Sequence, residues 1–189
     1  MTDSISFVAF EKDAIRDISP IDTDRLTSEV DEIGEERLRS EETESLVDEI
    51  MKGETLTTPT VATEQASRKK KSDPPNATVE VEVPANGDVE LLQHPLYPVS
   101  DSDKQFECQY DGDTLSFVVD VGKNTSPDVE DEISNKLRQL SFHSEEMDED
   151  VETKNNSAQR SVRRRINRRK EEIKSEDEKL DEILDGGNK

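Results

Sequence analysis

The sequence predicts a mostly disordered chain that carries one small α+β module, of about four antiparallel strands plus a helix, and a C-terminal helix. Three observations predict it. The chain holds a net charge of −22 over 189 residues, with 38% charged and only 29% apolar residues. That leaves little burial to offset chain entropy, which costs about 1–2 kcal/mol per residue for the backbone alone. Aromatics make up 4% and Trp is absent, so large core anchors are scarce. Against this background, strand-like and helix-like periodicity is clearest between residues 78 and 141.

Residues 1–77 read as an acidic disordered arm. The first twenty mix Ile5, Phe7, Val8, Phe10, Ile15 and Ile18 with acids in no clean period. Such a segment is either a linear motif that folds on a partner or a terminus that binds nothing. Residues 21–52 read as nascent helix. Leu26, Val30 and Ile33 stand at i, i+4, i+7, and Leu46, Val47, Ile50 and Met51 repeat the pattern. Gly34 interrupts them at a cost of about 1 kcal/mol relative to Ala. Asp31, Glu32, Glu35 and Glu36 occupy the other faces. Helices this short are marginal alone, so a partner groove with a basic rim would support them. Residues 53–77 read as a linker containing Arg68-Lys69-Lys70-Lys71 ahead of Pro74-Pro75. The run is a nuclear import signal, an anion-binding patch, or plain solvated charge.

Residues 78–141 predict the folded module, with dimerisation as its natural supplement at this size. Val79, Val81 and Val83 alternate with Glu80 and Glu82. Asn86-Gly87 predicts a hairpin turn, with Val89, Leu91 and Leu92 on the return strand. His94-Pro95-Leu96-Tyr97-Pro98 then makes an extended connector. Phe106, Cys108 and Tyr110 alternate, Asp111-Gly112-Asp113 turns, and Leu115, Phe117, Val119 and Val121 alternate back. Ser126 can cap a helix, Pro127 suits its first position, and Val129, Ile133, Leu137 and Leu140 share one face.

Residues 142–158 read as an acidic linker, and residues 159–189 as a charge-divided helix and tail. Arg160, Arg163, Arg164, Arg165, Arg168, Arg169 and Lys170 crowd its first half, and acids crowd its second. Ile166, Ile173 and Leu180 lie seven apart, with Ile183 and Leu184 following, the spacing of a short coiled-coil seam. The basic segment can contact phosphates or an import receptor, or simply answer the chain's own acids.

Residue chemistry argues against an enzyme. His94, His143 and Cys108 do not make a zinc site, and no cofactor is implied. Asp111-Gly112-Asp113 lacks the spacing and closing Glu of a calcium loop. No glycine-rich phosphate loop occurs, and the many carboxylates read as solvated rather than as buried groups of shifted pKa. The N-terminus lacks a basic and apolar leader, and no apolar run is long enough to span a bilayer. Sequons at Asn76, Asn124 and Asn155 therefore read as chance matches. Ser28, Ser45, Ser100 and Ser175 each precede an acid by three residues, and Ser19, Thr58 and Ser126 precede proline, so these are the phosphorylation candidates.

The layout resembles the phosphoproteins of non-segmented negative-strand RNA viruses, rhabdoviruses in particular. Glu29-Val30-Asp31-Glu32-Ile33-Gly34-Glu35-Glu36-Arg37 looks like the acidic helical motif of their N-termini, and the strand-then-helix pattern of Gly112–Leu140 is similar to their central dimerisation domain. The resemblance implies a non-catalytic polymerase cofactor and nucleoprotein chaperone in viral RNA transcription and replication, working in the host cytoplasm. Leu26, Val30, Ile33 and the acids around them would contact free nucleoprotein. Residues 78–141 would self-associate, residues 160–170 would touch RNA, and the large polymerase protein would be the second partner. The alternative is an acidic nuclear or viral regulator or scaffold that binds histones, transcription factors or a capsid protein.

Overall fold

In the computed structural model, residues 4–72, 77–95, 105–121 and 126–186 are described. In chain order the elements are β1 (Ile5–Ala9), α1 (Thr23–Glu32), α2 (Glu35–Ser40), α3 (Thr43–Ile50), β2 (Thr60–Val61), β3 (Ser67–Ser72), β4 (Thr78–Asn86), β5 (Phe106–Tyr110), β6 (Thr114–Asp120), α4 (Ser126–Glu146) and α5 (Asp148–Gly186). Short 3-10 turns lie at Ile15–Asp17, Thr63–Gln65 and Val89–Gln93. The chain divides into two units, Met1–Ile18 with Leu56–Glu152 and Ser19–Thr55 with Thr153–Lys189. The expectation of a mostly disordered chain is therefore overturned.

The first unit is an antiparallel half-barrel sheet. Its order is β1-β5-β6-β4, and both β3 and β2 pair with β4. The register sets Phe7 opposite Cys108, Cys108 opposite Phe117, and Phe117 opposite Val81. All four are buried, so the period-2 alternation of four strands converges on one face. Val129, Ile133 and Leu140 of α4 join that core, as do Met147 and Val151 beyond them. Phe106 meets Phe117 edge-on at 5.4 Å between centroids, and Phe10 meets Phe106 at 5.9 Å. Burial pushes the Cys108 thiol from 9.0 up to about 12, against the opposing pull of Lys136. The thiol therefore stays neutral in the fold. Its contribution to stability is complete below the unfolded value and is lost as pH rises toward about 12.

Four expectations are corrected in this unit. The N-terminal arm supplies β1 and buries Phe10 and Ile15. The 53–77 linker supplies β2 and β3, and the basic run is itself a strand. Lys69 pairs with Glu82 and Lys71 with Glu80, each at 2.6 Å, and Arg68 pairs with Glu130 at 2.5 Å. Cross-strand charge pairs of this kind favour a strand that has no apolar face of its own. The acidic linker 142–158 is helical, ending α4 and beginning α5. Finally, β4 is followed by the Val89–Gln93 turn, not by a return strand. Gly87 has φ 82 and lies against the Thr58–Pro59 backbone, where a Cβ would come within 2.5 Å of the Thr58 carbonyl oxygen. The Asp88 N–H donates to the Thr57 carbonyl at 3.0 Å, and the Thr57 N–H donates to the Asp88 carboxylate at 2.6 Å. These bonds tie Asp88, just after β4, to Thr57 in place of a tight reversal. Leu96, Tyr97 and Pro98 of the expected connector lie outside the described residues.

The second unit is helical. Asp22 caps α1 by accepting the Arg25 N–H at 2.9 Å. Gly34, in extended backbone, separates α1 from α2. Ile21, Leu26, Val30, Leu38, Leu46, Val47 and Met51 are buried here, together with Ala158, Val162, Ile166 and Ile173 of α5. The helices expected to be nascent therefore have a core. No helix among the described residues is long and apolar enough to cross a membrane.

Candidate polyanion-binding surface

Residues 160–170 hold seven basic and no acidic residues. At 3.6 residues per turn, Val162, Ile166 and Ile173 fall on one face of α5, and all three are buried. Arg163, Arg165, Arg169 and Lys170 lie on or beside that stripe, and each is taken up within the helical unit. Arg163 donates two hydrogen bonds to the Glu44 carboxylate at 2.8 and 2.6 Å. Arg165 donates two to Asp31, both at 2.6 Å. A planar guanidinium fits a carboxylate in this bidentate way. Arg169 donates to the carbonyls of Val30, Asp31 and Ile33 at 2.9, 2.8 and 3.0 Å. Lys170 donates to the Glu41 carbonyl. The final carbonyls of a helix lack intrahelical partners and carry the negative end of its dipole, so these two cations cap α1 and α2.

The electrostatics follow from that geometry. Arg165 holds the Asp31 carboxyl below its usual range, and Arg163 does the same to Glu44. Glu41 is lowered by Arg37, with a smaller effect from Lys170. Lowered carboxylates contribute stability that is present above their unfolded pKa and is lost as pH falls through the depressed values. Asp31 and Glu44 are exposed and Glu41 is half-buried, so solvent screens much of this contribution.

The remaining three cations point the other way. Arg160, Arg164 and Arg168 are exposed at i, i+4 and i+8, on the face of α5 opposite the buried stripe. At about 1.5 Å of rise per residue they stand roughly 6 Å apart in axial projection. With Arg163, Asn167 and Glu171 they line a shallow groove of about 420 Å³. Arg160 donates to the Asn156 carbonyl at 3.1 Å and Arg168 to the Glu172 carboxylate at 3.0 Å, both on the same helix. Three guanidinium groups in a row can take oxyanions of an extended polymer.

The other expected sites are placed differently. Leu26 and Val30 are fully buried, Ile33 is half-buried and Asp31 is engaged by Arg165. Glu32, Glu35 and Glu36 are exposed, with Glu35 paired to Arg39 at 3.3 Å. The stripe expected to meet a partner thus faces the chain's own core. Lys70 sits opposite Val79 in the β3–β4 ladder, so Arg68, Lys69, Lys70 and Lys71 all lie on a strand of the sheet unit. Ser19, Ser28, Ser45, Ser126 and Ser175 are exposed. Thr58 is half-buried and donates to Asp148 at 2.8 Å, while Ser100 lies outside the described residues.

The sheet unit has its own cleft, of about 580 Å³, where β5 and β6 part beyond the Cys108–Phe117 pair. Lys136 lies 5.2 and 5.5 Å from the Phe106 and Phe117 ring centroids and pairs with Glu132 at 2.9 Å. Sequence reasoning missed the capping roles of Arg169 and Lys170. Their signal was a tract of seven cations with no acid among them, in a chain whose residues 19–55 are rich in acids. Comparison with family models, with curated proteins and with solved structures finds no match to this chain.

Proposed function

We propose that this chain is a non-catalytic interaction protein that holds the phosphate backbone of nucleic acid through Arg160, Arg164 and Arg168. One observation carries the reading: four of the seven cations in the tract are bound internally, and these three are turned outward on one face. Arginines ordered along a rigid helix lose less freedom on binding than arginines in a flexible tail. The role is that of a polymerase cofactor in viral RNA synthesis, with single-stranded RNA at the arginine row and nucleoprotein and the large polymerase protein as protein partners in the host cytoplasm. Its chaperone component would require α1 to open, because Leu26 and Val30 lie in the core.

Fluorescence anisotropy with a labelled RNA homopolymer tests this. Three phosphate contacts predict a salt slope of about −2 on a single strand, with dissociation constants of about 10⁻⁴–10⁻⁶ M. The variant R160S/R164S/R168S is expected to lose at least about tenfold in affinity and most of that slope. Equal binding by the variant, or no binding by the parent chain at low salt, would overturn the reading.

A further inference from the structure

The geometry points to a second docking element at the end of α5, for a protein partner whose groove has an apolar floor and a basic rim. Along the stripe that begins inside the helical unit, Ile166 and Ile173 are 0% and 7% exposed. Leu180, Ile183 and Leu184 are 57%, 70% and 70% exposed. Arg39 of α2 reaches α5 at Asp177, at 2.8 Å, between Ile173 and Leu180. The stripe therefore continues for more than one turn past its internal cover.

Isolated exposed apolar residues are ordinary, but three at i, i+3 and i+4 form one ridge, the spacing used when a helix lies in a groove. The helix is already formed, so little ordering is needed on binding. Charge selects the occupant. Residues 176–185 hold six acids and one lysine, and Glu176, Glu178, Asp181 and Glu182 are exposed around the ridge. A second copy would bring two such tracts together on chains that each carry −22, whereas a basic rim relieves that repulsion.

The full-length chain can be titrated with two synthetic helical peptides of equal lysine content. One carries leucine along one face, and the other carries serine there. The parent chain is expected to bind the leucine peptide at least about tenfold more tightly. L180S/I183S/L184S keeps every charge and changes only exposed side chains, so circular dichroism should match the parent. It is expected to bind both peptides equally. No preference in the parent, or a preference retained in the variant, would overturn the proposal. So would a parent dimer in sedimentation equilibrium that the variant abolishes, because the ridge would then belong to a second copy.

Discussion

Replacing Phe117 with alanine is expected to lower the stability of the sheet unit by about 3–5 kcal/mol. Phe117 is 2% exposed on β6, which pairs with both β4 and β5. It stands opposite Val81 on one side and Cys108 on the other. Its ring packs edge-on against Phe106 and lies 5.5 Å from the Lys136 ammonium, so truncation removes aromatic and cation contacts as well as area. A loss of that size is a large share of the roughly 5–15 kcal/mol typical of whole domains. Urea unfolding followed by far-ultraviolet circular dichroism measures it. A change below about 1 kcal/mol would mean that this row of four strands is not the core.

In the helical unit, Ile166→Ala is expected to cost about 2–5 kcal/mol. Ile166 is 0% exposed and lies between Arg165 and Arg169 along the helix axis, so its burial holds both cations at Asp31 and the α1 carbonyls. Arg164→Ser, on the opposite face, is expected to stay within about 0.5 kcal/mol of the parent. The same urea measurement separates the two. Equal effects would remove the distinction between the structural and the outward cations on which the proposed function rests.

Local periodicity made part of this architecture legible. Alternation at Val79–Val83, Phe106–Tyr110 and Leu115–Val119 corresponds to β4, β5 and β6, and the four, four, three spacing of Val129, Ile133, Leu137 and Leu140 corresponds to α4. What stayed hidden depends on partners distant in sequence. β3 has no apolar face, and its lysines find Glu80 and Glu82 across the ladder. In β1, Ile5 and Val8 blur the alternation of Phe7 and Ala9. Met147, Val151, Ala158 and Val162 keep helical spacing, but acids and asparagines between them mask it.

Composition misled for a related reason. Net charge averaged over the chain treats the 160–170 tract and the acids of 19–55 as separate solvated groups. In the fold, Arg163 answers Glu44 and Arg165 answers Asp31, while Leu26, Val30, Leu46 and Val47 fill one core. The outward arginine row was legible only as a basic segment. Which cations face outward depends on where Ile166 and Ile173 are buried.

Amide hydrogen exchange on the intact chain, without partners, tests most directly that residues 19–55 are folded with the arginine segment of α5. Slow exchange is expected in α1, α3 and α5 from about Ala158 to Ile173, alongside slow exchange in β4 and β6. Protection confined to roughly residues 78–141, with 19–55 exchanging at random-coil rates, would contradict it.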